Sequence, residues 1–358
     1  MKRFYFIMLA AILFSCATEE KGQLEQINVS IKNSSDYNLS EIADEVTPII
    51  LETKKECLIS YVSKLVSTKD FLYVLNANTS LYQFDKQGKF IRQIGDIGRG
   101  PGEYERLSTF TIDEDNNVVY AASNYKILSY KDNGEFIGES DFTRGYIISL
   151  SYINDQLLLF SRNIGIKTNE GYKNEIKLFK LDNNLSYKDS FIVSTIIHKT
   201  MSASSIIEGN YISNLEDHIY VNFPSPELEP VVRDTLFELK DNLLLPSLRL
   251  NIEEEVQGNT GNSRITINDF YRKESYIFTS YSYQKKRNLL TINLTNGKQM
   301  NMEDGFNDDF YDTGTVKLSS LSLNDNQLYF LKNGYELEGK IENVDENSNP
   351  VVFIVKLK

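Results

Sequence analysis

The sequence has no tryptophan and only two histidines and two cysteines in 358 residues. Two histidines cannot build a His-rich zinc site, and a Ser-His-Asp triad would have to use His198 or His218. No Gly-x-Ser-x-Gly nucleophile elbow is present. Carboxylate-based hydrolysis stays an alternative because Asp and Glu total 50, but a sequence does not show which two carboxylates would face each other. We predict no cofactor, and we do not predict catalysis as the principal activity.

After the N-terminus, no segment carries a sustained apolar stripe at helical spacing, which argues against most α/β architectures. The formal net charge is −12, and no stretch rich in Lys and Arg interrupts the acidic composition. Such a surface repels the phosphate backbone of nucleic acids. We therefore expect no nucleic-acid partner.

The N-terminus has the pattern of an export signal. Lys2 and Arg3 precede an uncharged apolar run, Phe4–Phe14, which has the length of a signal-peptide core and is too short to span a bilayer. The run ends in Leu13-Phe14-Ser15-Cys16, which resembles the lipobox of bacterial lipoproteins. That resemblance implies a signal peptide over residues 1–15 and acylation of Cys16, which gives stable membrane anchoring. The alternative is a conventional signal peptide that happens to end in cysteine.

Cleavage before Cys16 would remove two basic residues and shift the net charge from −12 to −14. Only Cys57 would then remain as a free thiol, so no intrachain disulfide could form. Cys57 lies in the run Cys57-Leu58-Ile59-Ser60-Tyr61-Val62. Buried inert thiols are typical of such runs, and we predict a structural role.

The composition and the apolar runs of the remaining chain favour strands. The chain contains 22 Tyr and 20 Phe, which are strand-forming residues. Six short apolar runs follow polar turns and have the length of strands. They are Phe71–Leu75, Val118–Ala121, Leu157–Phe160, His218–Val221, Tyr276–Phe278 and Gln327–Phe330.

A hairpin pattern is repeated along the chain. Residues 81–91 align with residues 127–137, so that Gly88 matches Gly134 and Phe90 matches Phe136. The pattern predicts strand, glycine turn with positive φ, strand. A weaker copy covers residues 176–185, and further copies at 235–242 and 290–298 have diverged.

A repeat of about 40–50 residues with about four strands each is the signature of propeller blades. We predict an all-β, six-bladed β-propeller of four-stranded antiparallel blades over residues 44–358, although the length also allows seven. Residues 16–43 are predicted to be the anchor and a polar linker. Closure is expected from Thr47–Leu51 pairing with the sheet formed by residues 327–358.

One loop is rich in glycine: Gly95, Gly98, Gly100, Pro101 and Gly102 lie within eight residues. Together with Phe84–Ile91 before it and Phe110–Asp113 after it, the segment resembles the six-bladed β-propeller lipoproteins of Bacteroidetes, which are related to NHL-repeat propellers. That resemblance implies a propeller fold and an outer-membrane location, either periplasmic or surface-exposed, often near nutrient-uptake systems. It implies no reaction.

The glycine-rich loop lacks the Lys-Ser/Thr of a phosphate-binding loop, and we interpret it as a tight crossing between blades. Arg99, Glu103 and Tyr104 flank the crossing and are candidate ligand contacts. Hard-oxygen side chains at Asp304, Asp308 and Asp309 are weak calcium candidates, but Asp and Asn are also common in turns. No bound metal is predicted.

Three functions follow from these patterns. The first is an envelope binding module for glycan or peptide, with a concave site at the propeller axis. The second is an accessory subunit of an outer-membrane uptake complex, with a flat apolar patch. The third is a hydrolase or lyase with a perturbed titratable group in the channel.

Overall fold

The computed structural model describes residues 24–123, 125–201, 211–223, 232–240, 242–252, 265–284, 286–321 and 327–358. The predicted signal peptide and Cys16 lie outside these ranges. No helix in the described part of the chain is long and apolar enough to cross a membrane. Strands dominate the fold, so the expectation of an all-β protein is confirmed.

The N-terminal part of the described chain contains two strands and two short 3-10 helices. They are β1 (Glu25–Val29), the helix Leu39–Glu41, β2 (Ala43–Ile50) and the helix Lys55–Cys57.

The strands that follow form successive antiparallel sheets. Sheet 1 contains β3 (Val62–Ser67), β4 (Phe71–Asn76), β5 (Ser80–Asp85) and β6 (Phe90–Ile94). A short parallel pair follows, β7 (Asp96–Ile97) and β8 (Glu103–Tyr104). Sheet 2 contains β9 (Thr109–Asp113), β10 (Val118–Ser123), β11 (Lys126–Lys131) and β12 (Phe136–Asp141). Sheet 3 contains β13 (Tyr146–Ile153), β14 (Gln156–Thr168), β15 (Gly171–Leu181) and β16 (Tyr187–His198).

The second half of the chain continues the same order. Sheet 4 contains β17 (Ile212–Leu215), β18 (His218–Val221), β19 (Thr235–Lys240) and β20 (Leu243–Ile252), with β1 added parallel to β20. Sheet 5 contains β21 (Thr266–Lys273), β22 (Tyr276–Tyr283), β23 (Lys286–Asn293) and β24 (Gln299–Met302). A hairpin follows, β25 (Phe306–Asp308) and β26 (Gly314–Val316). Sheet 6 contains β27 (Ser319–Ser320), β28 (Gln327–Lys332), β29 (Val351–Leu357) and β2, and the helix α1 (Gly334–Leu337) lies between β28 and β29.

The repeated hairpin of the sequence is the turn between the third and fourth strands of a sheet. Gly88 joins β5 to β6 and Gly134 joins β11 to β12, and both have φ of +85°. In the third copy Leu185 occupies the equivalent position, with φ of +62°. The three copies therefore share a positive φ at this position of the turn, although only two of them have glycine there.

The apolar core lies between the sheets, and each cluster joins one sheet to the next. Five clusters join consecutive sheets in chain order, from sheets 1 and 2 through to sheets 5 and 6. A further cluster joins sheet 6 back to sheet 1, where Tyr329 and Val352 pack with Leu72 and Phe84. A single sheet cannot bury both of its faces, whereas this cyclic packing buries them against neighbours. It is the packing of a β-propeller.

Closure through the N-terminal strand is confirmed: β2 pairs antiparallel with β29, from Ala43 opposite Leu357 to Ile50 opposite Val351. The preceding segment differs from the predicted linker. Its strand β1 lies on the outer edge of sheet 4, and its backbone then crosses sheet 5, where the Ser35 N–H donates to the Asn301 carbonyl at 2.9 Å. The polar composition misled the prediction because an outer strand contributes only one face to the core.

Candidate functional site

A cavity of about 640 Å³ lies where the first strands of all six sheets meet. Its lining includes Lys64 of β3, Thr109 of β9, Ser149 of β13, Ile212 of β17 and Asp269 of β21, together with β27. Because every sheet contributes its first strand, the cavity lies on the axis around which the sheets pack. This volume is in the range of small-ligand pockets.

The cavity lining is rich in hydroxyl groups. Ser149 and Ser151 of sheet 3 are partly exposed to it, as are residues of sheets 1, 5 and 6. Some of these hydroxyls serve the backbone: the Thr279 hydroxyl donates to the Asp269 carbonyl at 2.7 Å. Tyr61, with 61% of its surface exposed, adds an aromatic face. The lining suits a polar ligand that makes several hydrogen bonds and stacks on one ring.

Lys64 is the most unusual group of the cavity. Its ammonium donates to the Thr109 hydroxyl at 3.2 Å, the Phe110 carbonyl at 2.7 Å and the Leu150 carbonyl at 3.2 Å. All three acceptors are neutral, and they belong to sheets 2 and 3. Burial lowers the pKa of Lys64 to about 8. The side chain therefore connects three sheets at the axis and introduces a positive charge with no carboxylate partner among the described residues.

Other charged side chains of the cavity come from sheets 5 and 6 and the segment between them. Lys332 forms an ion pair with Glu336, whose carboxylate lies 3.6 Å away. Arg287 donates to the Ser280 hydroxyl over 3.4 Å, and Lys317 is exposed. Asp304 and Asp269 are the remaining acidic residues of the lining. Apart from Asp304, which the sequence indicated only as a calcium candidate, these residues were not predicted, because they lie on different strands and loops of the last two sheets and form no motif. The one local signal was Lys64, a lysine inside an apolar strand.

The structure does not bring Arg99, Glu103 and Tyr104 together as a binding surface, and none of them lines the cavity. Arg99 is exposed and its guanidinium lies 2.7 Å from the Glu105 carboxylate. The Glu103 carboxylate folds back and accepts from the Gly100 N–H at 2.7 Å. Tyr104 has only 1% of its surface exposed, which leaves it no surface for a ligand.

The glycine-rich loop is built around these side chains. A Cβ at Gly98 would lie 2.0 Å from the Glu103 carboxylate. Gly95 and Gly102 have φ of +66° and +74°, and Gly100 and Pro101 lie between the paired strands β7 and β8. The loop thus connects sheet 1 to sheet 2, and its glycines permit close approach and positive φ.

Tyr104 gives a test of this structural role. Its hydroxyl donates to the Ile94 carbonyl at 2.7 Å, inside the cluster between sheets 1 and 2. We expect Tyr104→Phe to lower the free energy of unfolding by about 1–2 kcal/mol, because the buried carbonyl loses its donor. Urea unfolding measures this. The exposed Tyr125 is the control, and an equal loss in Tyr125→Phe would contradict the structural role of the Tyr104 hydroxyl.

Two of the three calcium candidates, Asp308 and Asp309, accept hydrogen bonds from other residues. Asp308 is buried and accepts from the N–H groups of Phe310, Tyr311 and Thr313 and from the Thr313 hydroxyl. Asp309 accepts from the Ser40 N–H at 3.0 Å, while Asp304 faces the cavity. The described residues contain no group of three or more His, Cys, Asp or Glu side chains that could hold a metal ion. Asp308 therefore stabilises the turn that follows it, whereas Asp309 connects this segment to the helix Leu39–Glu41.

Cys57 is fully buried in the cluster between sheets 6 and 1, and burial raises the pKa of its thiol. Its thiol donates to the Glu52 carbonyl at 3.2 Å. Of the two histidines, His218 lies on β18 with its Nδ1 2.8 Å from the Glu238 carboxylate, and neither lines the cavity. The geometry therefore offers no nucleophile–histidine pair in the cavity.

The sheets and the axial cavity define a β-propeller protein. The chain belongs to the family described as "Domain of unknown function (DUF4934)", whose model matches residues 24–356. No curated protein matches the chain.

Solved structures with a similar fold include a crystal structure from Bacteroides fragilis described as a "Putative exported protein". It is 18% identical, with a TM-score of 0.65 over 93% of this chain and 99% of that chain. BamB from Moraxella catarrhalis is 10% identical, with a TM-score of 0.44 over 88% and 99% of the two chains. The Pan2 WD40 domain of Neurospora crassa is 13% identical, with a TM-score of 0.41 over 82% and 74%.

Proposed function

We propose that this protein is an exported, six-bladed β-propeller of four-stranded antiparallel blades that acts as a non-catalytic binding module for a glycan or peptide at the cell envelope. The observation that carries the proposal is the axial cavity of about 640 Å³, to which every sheet contributes its first strand. Its hydroxyl-rich lining and the absence of a histidine among its residues favour binding over catalysis. In this proposal each sheet is one blade.

Export and anchoring in the outer membrane are part of the proposal. They are supported by the signal-peptide pattern ending at Cys16 and by the similar protein of Bacteroides fragilis described as a "Putative exported protein". Because β1 begins at Glu25, the chain from a lipid on Cys16 to the folded body would span about 30 Å at most. A lipid anchor would therefore hold the propeller close to the membrane surface.

The second candidate function is that of an accessory protein-protein interaction subunit of an outer-membrane uptake complex. It is supported by apolar side chains on the outer part of sheet 3: Ile192 is 63% exposed, Ile197 45% and Tyr187 44%. Exposed apolar groups of this kind are typical of interaction surfaces. A propeller hydrolase or lyase ranks third.

Ligand binding is expected to raise the midpoint of thermal unfolding of the purified full chain in mild detergent. A ligand at about 100 times its Kd adds about 2.7 kcal/mol of stability, which corresponds to several degrees for a chain of this size. We would measure the midpoint against a panel of oligosaccharides and peptides.

The variant Ser149→Phe, which fills the cavity, is expected to abolish the rise. The control Thr195→Phe, on the exposed face of the outer strand β16, is expected to retain it. Absence of any rise with the whole panel would refute the binding-module proposal and favour the protein-partner role.

A further inference from the structure

The charges of the axial cavity differ from those of the rest of the molecule. The whole chain has 50 acidic and 38 basic residues, whereas the cavity lining contains Lys64, Arg287, Lys317 and Lys332 against Asp269, Asp304 and Glu336. Of these, Lys332 and Glu336 neutralise each other. The cavity is therefore a place where the acidic character of the surface is reversed.

Lys64 supplies a fixed positive charge at the wall of the cavity. Its three donors are directed at neutral oxygens of sheets 2 and 3, so the side chain is held in place and does not need a ligand to order it. A cation next to a partly buried cavity is costly unless an opposite charge compensates it. An anion bound in the cavity would provide that compensation.

Arg287 and Lys317 supply the donors that Lys64 cannot offer. Arg287 lines the cavity, is exposed and makes one long hydrogen bond, to Ser280 at 3.4 Å, so most of its five N–H donors have no partner among the described residues. Neither Arg287 nor Lys317 forms an ion pair with a residue of the described chain. A guanidinium with open donors matches the two oxygens of a carboxylate.

The geometry points to an acidic sugar as the ligand of this cavity, with its carboxylate bound by Arg287 and Lys317 in the field of Lys64. This inference rests on the proposed binding function and names the chemical class of the ligand. A sugar is favoured over a peptide because the lining offers many hydroxyls, such as Ser149 and Ser151, and an exposed ring at Tyr61. Hydroxyl-rich walls with one exposed aromatic ring suit a sugar better than they suit the apolar side chains of a peptide.

The test is calorimetric titration of the full chain in detergent with three probes. Two are sugars of equal length, trigalacturonic acid and galactotriose, and the third is an acidic tripeptide. We expect the acidic sugar to bind about tenfold tighter or more than the neutral one, since one charged hydrogen-bond pair is worth about that factor. Raising the salt concentration from about 0.05 to about 0.5 M is expected to reduce this difference.

The double variant Arg287→Gln/Lys317→Gln is expected to lose at least about tenfold in affinity for trigalacturonic acid and to bind galactotriose unchanged. Lys286→Gln is the matched control. Lys286 is the neighbour of Arg287 on β23, but it pairs with Glu303 at 2.9 Å and does not line the cavity.

The outcomes separate this inference from the proposed function. Equal binding of both sugars, with the double variant unaffected, would overturn the inference and leave the binding function intact. Binding of an acidic tripeptide in place of either sugar would also overturn it. If no probe binds to the wild-type chain, the inference fails, and the thermal-unfolding panel of oligosaccharides and peptides decides the binding function separately.

Discussion

Replacing Gly88 with alanine is expected to lower the free energy of unfolding by about 3 kcal/mol or more, whereas the same change at Gly134 should cost about 1 kcal/mol. Both glycines occupy the same turn with the same φ of +85°. A Cβ at Gly88 would lie 2.0 Å from the Ile50 carbonyl oxygen, whereas the nearest atom to a Cβ at Gly134 is 3.5 Å away. The difference in the free energy of unfolding between the two variants therefore measures the steric clash separately from the cost of a positive φ.

The clash at Gly88 affects ring closure. The turn accepts a hydrogen bond from the Glu52 N–H to the Gly88 carbonyl at 2.8 Å, and the Glu52 carboxylate accepts from the Phe90 N–H at 3.0 Å. The residues that contact the turn lie at the end of β2, the strand that closes sheet 6, and directly after it. Moving the turn away from Ile50 would loosen the junction between sheets 6 and 1.

Urea unfolding of the wild type and both variants measures these differences. Equal losses at Gly88 and Gly134 would show that positive φ alone decides the cost and that the contact with Ile50 contributes nothing.

The sequence predicted the central strands of the sheets well, and the reason is physical. All six apolar runs are second strands of their sheets: β4, β10, β14, β18, β22 and β28. A second strand has a neighbour on each side and neighbouring sheets on both faces, so its side chains are apolar almost throughout. The turn glycines were predictable because positive φ favours glycine over other residues.

The axial cavity and the outer edges were not predictable in the same way. The cavity takes residues from the first strands of all six sheets, so its members are far apart in sequence and form no motif. The strand β1 pairs with β20, more than two hundred residues away, and its polar residues resemble a linker. The glycine-rich loop drew attention to Arg99, Glu103 and Tyr104, whose side chains bond to the loop and to the strands that flank it.

The stability of the protein is expected to rise between about pH 7.5 and about pH 9.5, by about 1–2 kcal/mol through Lys64 alone. Burial lowers the pKa of Lys64 from 10.5 to about 8 in the folded protein. Between these two values the unfolded chain binds more protons than the folded chain, so the free energy of unfolding increases with pH. The cost of the buried charge is complete below pH 8 and disappears as the pH passes 10.5.

The full shift corresponds to about 3 kcal/mol at about 1.4 kcal/mol per pKa unit, but contact with water in the cavity reduces it. Buried tyrosines act in the opposite direction at higher pH: burial raises the pKa of Tyr73 and Tyr281 to about 12. The folded protein then retains protons that the unfolded chain loses above about pH 10. The measurement therefore has to stop near pH 9.5.

Urea unfolding of wild type, Lys64→Met and Lys317→Met at the two pH values tests the assignment. Lys64→Met is expected to remove most of the rise with pH, while Lys317→Met, which changes an exposed lysine of the same cavity, should keep it. A smaller rise remains because burial also lowers the pKa of Lys86. An undiminished rise in Lys64→Met would assign the titration to another group. Because the ammonium of Lys64 connects sheets 1, 2 and 3, loss of the rise would also mean that the charge at the axis is retained at a cost to stability, as expected of a group kept for binding.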